Sequence, residues 1–251
     1  MTKKKAFKTQ ICQLPYRLNP TLDMDELIDP ALDALKDFLD EGADAWEGIY
    51  IDYEPPFLMR LYRPFEVTSP IDDKKRTVFL SLHYFFAPPN EGDSDRLGLP
   101  NPYSNYPDLI GQENKNNYHP HPWAAAFYLF KGAYKQELGF ARELGYSDDP
   151  QSNLRPKPYD VSFQSAKSPT RRSYAFNNPY QWHRVLPTMG DVATMMVTYR
   201  PEGWDQVGPK PKEKQRCLTK TEKEFMITYF KALIKKQEPS IKSSLKNSLI
   251  R

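Results

Sequence analysis

The chain has 251 residues, enough to bury a substantial core and a length that all-β folds often fill as one domain. Hydrophobic residues make up 39% and aromatic ones 14%, with 24 prolines, which excludes a disordered chain and favours many short strands joined by proline-marked turns. The net charge of +3 is unevenly placed: from Lys210 onward 12 Lys/Arg face 4 Asp/Glu, a local balance of +8 that leaves −5 for the rest. Such a basic end can signal nucleic acid. Here the lysines alternate with glutamates and an apolar stripe, so a solvated helix face is the better reading and nucleic acid is not expected. Cys12 and Cys217 are far apart and form no CxxC motif, which points to a reducing cytoplasm. The basic start has no apolar run behind it, so no signal peptide is expected, and no stretch has the apolar length to span a bilayer.

In chain order, Asp29 reads as the N-cap of a first helix and Pro30 as its first residue, with an earlier turn around 23–28. Leu32, Leu35, Phe38 and Leu39 form its apolar stripe and Gly42 its stop. Residues 49–53 and 57–62 are short, proline-bounded strands. Residues 77–86, rich in β-branched and aromatic side chains, read as a buried strand. Residues 87–117 form a long polar loop, a length that is often functional. The strand pattern resumes at Tyr118, runs to Phe130, turns at Lys131-Gly132 and continues over 134–140. Residues 147–170 read as loop. Strands follow at 172–176 and through His183, with a turn at 188–191 and a strand over 192–199 that Pro201 ends. Residues 201–218 are a polar connector. Thr221 and Glu224 match a capping box that opens a last helix. Met226, Tyr229, Phe230 and Leu233 form its apolar face, and Pro239 limits it.

The chemistry concentrates in the histidines, of which there are only four. In Tyr118-His119-Pro120-His121 two imidazoles project from one strand face, about 7 Å apart along the strand. His183, in Gln181-Trp182-His183-Arg184, can join them from a neighbouring strand. Three imidazoles would then face one metal ion and leave coordination positions open. Imidazole suits Fe, Zn, Cu and Ni alike. With Fe(II), three neutral ligands leave a +2 site that favours an anionic substrate such as a thiolate or enolate, with O₂ beside it. His83 lies mid-strand and reads first as a core histidine bonded to a neighbour, and only second as a fourth ligand or nearby base. Trp123 and Trp182 are read as packing, Arg184 as facing away by strand alternation, and Glu137 as a surface or supporting residue.

The segment 118–140 (YHPHPWAAAFYLFKGAYKQELGF) resembles the first motif of cupins, an H-x-H pair followed by a strand and a glycine turn. Most cupins place a metal-binding Glu four or five residues after the second His. Ala125 and Ala126 stand there, which resembles the three-histidine subclass. Trp182-His183-Arg184-Val185 and the strand ending Thr198-Tyr199-Arg200-Pro201 resemble the second motif of cysteine dioxygenase-type cupins. In that family the Tyr near the end of this strand reaches the active site, which makes Tyr199 a candidate catalytic residue; a core tyrosine is an equal alternative. The likeness spans residues 115–201. The family's cross-linking cysteine is absent near Ala126, and Pro187 stands where an Asn belongs. Arg60 and Arg63 are candidates for its carboxylate-binding arginine, with His83 as a third substrate-binding candidate.

These readings give a mainly β fold, a double-stranded β-helix (cupin jelly roll) with flanking N- and C-terminal helices. One domain is expected: a lead-in over 1–76, a barrel core over 77–201, and a basic connector and helix over 202–251. The expected function is a mononuclear non-haem iron dioxygenase. His119, His121 and His183 hold Fe(II), with Zn, Ni or Cu as other metals, and O₂ enters a small chelating substrate, a thiol such as a cysteine derivative first. The alternatives are another metal-cupin enzyme, an isomerase or non-thiol dioxygenase, and a non-catalytic cupin that binds a small ligand.

Overall fold

The computed structural model describes residues 24–51, 56–69, 72–88, 99–106, 108, 119–141, 143, 145, 147, 149, 151–152, 157–165, 172–201 and 215–248. Cys12, Tyr118, most of the loop 87–117 and the connector 202–214 lie outside the described residues.

A 3-10 turn, Asp25–Leu27, leads into helix α1, Ile28–Asp40. The helix starts ahead of the expected cap. Leu27 is the N-cap and its side chain accepts no capping bond; Asp29 sits inside the first turn, where its charge complements the helix dipole. Ile28, Ala31, Leu35 and Leu39 are buried along one face, and Leu32 and Phe38 flank them. Gly42 ends the element as expected. Its φ of 85° is left-handed, and its N–H donates to the Leu39 carbonyl at 3.2 Å.

The strands are β1 (Glu47–Ile51), β2 (Leu58–Thr68), β3 (Lys75–Phe85), β4 (His119–Pro120), β5 (Ala124–Phe140), β6 (Lys157–Ser165), β7 (Ser173–Phe176), β8 (Gln181–Tyr199) and β9 (Arg216–Cys217). Every pairing is antiparallel, in the order β6-β5-β8-β3-β2-β1-β9, with β4 added to β8 and β7 to β5. The mainly β class with a helix before and a helix behind is the one observed. β1 and β2 overlap the strands expected at 49–53 and 57–62, and β2 pairs directly with β3. β6 falls within the stretch read as loop.

Two expected turns are corrected. Residues 131–132 and 188–191 interrupt nothing: β5 and β8 each run straight through as long strands paired to each other. Their register shifts between Leu129 and Tyr134, where Gly132 (φ 84°) on β5 lies opposite the Gly190 (φ 62°) region of β8. These are bulges, which bend a strand and twist it without ending it. At Gly132 a Cβ would meet the Asp191 carbonyl at 2.7 Å and Val192 Cγ2 at 2.9 Å, so only glycine fits this close approach. Each bulge also flips the alternation. On β5, Phe127 and Leu129 share a face with Tyr134, Gln136 and Leu138 beyond it; on β8, His183 and Val185 share a face with Val192, Thr194 and Met196.

One face of the sheet is covered by helices. Met59, Leu61, Leu80, Leu82, Tyr84, Ala126, Met195 and Val197 pack against α1 and against α2 (Lys220–Ser248). The stripe Met226, Tyr229, Phe230 and Leu233 is buried as expected. The capping box sits two residues earlier than expected: the Thr219 N–H donates to Glu222 Oε2 at 2.8 Å, and the Glu222 N–H donates to Thr219 Oγ1 at 3.3 Å. Pro239 does not limit α2, which continues to Ser248.

Candidate metal centre

Two-residue β4 pairs with the first part of β8 and sets His119 directly opposite His183. His121 follows just after β4 rather than within a longer strand. The three rings nonetheless converge. Ring centroids are 4.8 Å apart for His119–His183, 4.6 Å for His121–His183 and 5.3 Å for His119–His121. One nitrogen from each lies within 4.8 Å of the other two. His121 Nε2 and His183 Nε2 are 2.7 Å apart, close to the roughly 2.9 Å edge between two metal–nitrogen bonds of about 2.0–2.1 Å at a right angle. His121 and His183 are buried and His119 is half-buried, so the cluster opens on the His119 side.

The electrostatics suit ligation. Burial holds the imidazoles of His121 and His183 well below the usual histidine range, and the neighbouring histidines lower them further. Both rings are neutral at neutral pH, the form that binds metal. His183 Nδ1 lies 3.3 Å from Gln136 Oε1. A proton on Nδ1 donated to that oxygen turns the Nε2 lone pair toward the other rings, the supporting arrangement usual for metal-bound histidine. The residues therefore fit a divalent first-row transition ion.

The walls are aromatic. Phe176 lies 5.3 Å from His121 and 4.7 Å from His183, and Phe127 lies 6.1–6.2 Å from both. Tyr174 stacks on Phe127 at 4.7 Å and 9°, and its hydroxyl accepts a bond from Tyr134. Burial raises both phenols, so they stay protonated. Trp123 meets His121 edge-on at 5.8 Å, whereas Trp182 is buried against Ala141 as packing.

The other candidates divide by face. Arg60, His83 and Thr194 lie side by side on β2, β3 and β8, on the face that carries the triad. His83 is buried, with Nδ1 3.3 Å from Thr194 Oγ1. Arg63 is on the opposite face, paired with Glu41 at 2.9 Å and stacked over Phe38 at 4.1 Å, so it does not reach the triad. The odd step from 60 to 63 decides this. Tyr199 is also away from the triad: it packs on the helix-side core beside the Arg76 guanidinium. Sixteen residues from His183 would share its face on an unbroken strand, but the Gly190 bulge flips the alternation. Arg184 does point away from the triad, yet it is buried, ion-paired with Glu137, which is buried as well and also 3.1 Å from Lys135. Gln136 and the wall Phe127, Tyr174 and Phe176 were not legible as site residues: Gln136 and Phe127 share a face only through the bulge at Gly132, and Tyr174 and Phe176 join it only through the pairing of β7 with β5.

No protein-family profile and no curated protein matches the chain. Among solved structures, the chain is similar to an Fe(II)-HppE complex with an alternative substrate, (S)-1-HPP (TM-score 0.28, 9% identity, 55% of this chain and 56% of that one). It is also similar to the ribosomal oxygenase YcfD from Escherichia coli in two structures. One holds cobalt and 2-oxoglutarate (TM-score 0.29, 9% identity, 74% of this chain and 46% of that one). The other gives the same TM-score and identity over 85% of this chain and 60% of that one. The chain thus spans about half the length of these proteins, and the chemistry assigned to it rests on its own residues. Among the described residues, no helix is long and apolar enough to cross a membrane.

Proposed function

We propose that the chain is a mononuclear non-haem iron oxygenase in which His119, His121 and His183 hold Fe(II). The single observation that carries this reading is the convergence of three imidazole nitrogens, two of them from buried neutral rings, within 4.8 Å. When bound, the ion supplies Lewis acidity and open positions for an anionic substrate and O₂. The protein's part is positional. Gln136 fixes the tautomer of His183. Phe127, Phe176 and Leu138 line the apolar wall and exclude water from the inner side, while the half-buried His119 marks the entry.

The three-histidine set is neutral, so an anionic head group on the substrate meets no carboxylate in competition. A thiol such as a cysteine derivative is the first substrate to test. It rests on the resemblance over 115–201 alone, and the displaced Tyr199 weakens it. A small carboxylate or enolate suits the site charge equally. A cytoplasmic location agrees with the two cysteines and the lack of a disulfide framework. Oxygen uptake by the iron-loaded protein tests the reading: uptake that depends on both Fe(II) and an added small anion supports it. An isomerase would convert substrate with no oxygen consumed, and that result would replace the oxygenase reading.

A further inference from the structure

The fourth histidine of the chain is on the same sheet face as the other three, and the triad leaves it unused. His83 is only 3% exposed. Its Nδ1 is engaged by Thr194 Oγ1, while Nε2 is buried with no hydrogen-bond partner among the described residues. A buried polar nitrogen left in this state is unfavourable unless something pairs it. The ring lies within electrostatic range of Arg60 and of His121. It also lies two strands across from β5, through β8, about 10 Å by the usual strand spacing. That row runs through Thr194 to Leu129, and beside it the face is apolar, with Met196 opposite Phe127 and packed with Ala125.

We propose that His83 Nε2 is the distal anchor of the substrate site, pairing a hydroxyl at the far end of a small, apolar-bodied anion whose charged head sits at the triad. The proposal rests on the metal-centre reading and names the substrate class for it. Three features define the class. A divalent metal held by neutral rings would keep a +2 charge, which calls for an anionic head. The aromatic and thioether wall calls for an apolar, preferably flat, body. A single nitrogen of a neutral imidazole calls for one uncharged polar atom, and a hydroxyl serves whichever tautomer is present, since it both donates and accepts. An ammonium at this end would meet the neighbouring cation of Arg60, so aminothiols are disfavoured there.

The test loads the full chain with Co(II) and titrates 4-hydroxybenzoate and benzoate, which differ by the distal hydroxyl alone, following the cobalt visible spectrum. Metal content is measured on the same samples. Wild type is expected to bind 4-hydroxybenzoate at least about tenfold more tightly than benzoate, because a buried polar group discriminates against the analogue that leaves it unpaired. His83→Leu is expected to lose that preference with metal content unchanged, and His83→Gln to keep part of it. Equal affinities in wild type, or a preference that survives in His83→Leu, overturn the role of His83 while leaving the metal centre standing. Failure to take up cobalt overturns the metal-centre reading and this proposal with it. If His83→Leu does not fold, the wild-type preference and His83→Gln decide the question.

Discussion

The two faces of the central sheet share the same strands yet carry different chemistry. The helix-side face is aliphatic and aromatic: Leu61, Leu80, Leu82, Met195 and Val197 pack on α1 and α2. The other face carries all four histidines, Gln136, Thr194 and the ring wall of Phe127, Tyr174 and Phe176. What assigns a residue to one face is not its distance in sequence from His183 but the count of bulges between. Gly132 and Gly190 each flip the alternation, so the odd-numbered His183 shares a face with the even-numbered Thr194 and Met196, and the odd-numbered Tyr199 goes to the helices.

The largest effect is expected at the paired charges behind the triad. Arg184→Met removes the buried cation paired with the Glu137 carboxylate, at a cost of about 3–5 kcal/mol measured by chemical denaturation. A loss under about 1 kcal/mol would mean that the pair is hydrated rather than buried. Next in size is Gly132→Ala. A left-handed backbone costs an L-residue about 1–2 kcal/mol, and the new methyl meets the Asp191 carbonyl as well, so a loss of about 2 kcal/mol or more is expected. A neutral result would remove the bulge as the device that sets the faces.

Smaller, and aimed at function, is Gln136→Ala. Loss of the bond to His183 Nδ1 is expected to weaken metal affinity about 10- to 100-fold with little change in melting temperature, read by competition with a chelator. Smallest is Tyr199→Phe. Its hydroxyl faces Arg76 on the helix side, so oxygen uptake should stay within about twofold of wild type. A collapse of activity would restore Tyr199 to the site and contradict the assignment of faces.

Much of the site was legible in sequence. His119 and His121 share a local motif, and the surrounding strand pattern marked His183 as their partner. The mainly β class and both helices were legible too, because apolar stripes at helical spacing and proline-bounded aromatic runs are local signals. What escaped depends on long-range pairing. The glycines at 132 and 190 have the appearance of turns in sequence, and only the register between β5 and β8 shows that both strands continue through them. Arg60 and Arg63 are equivalent in composition and differ only in parity. Asp29 and Thr221 are good capping residues, each displaced by two positions from the cap its helix uses.

The central claim is that three imidazoles hold one metal ion, and metal content tests it most directly. After reconstitution with Fe(II) under anaerobic conditions and removal of excess ion, wild type should retain about one iron per chain, and folded His121→Ala and His183→Ala should retain close to none. No iron, zinc, nickel or copper retained by wild type under matched loading, or equal retention in wild type and both variants, would contradict it.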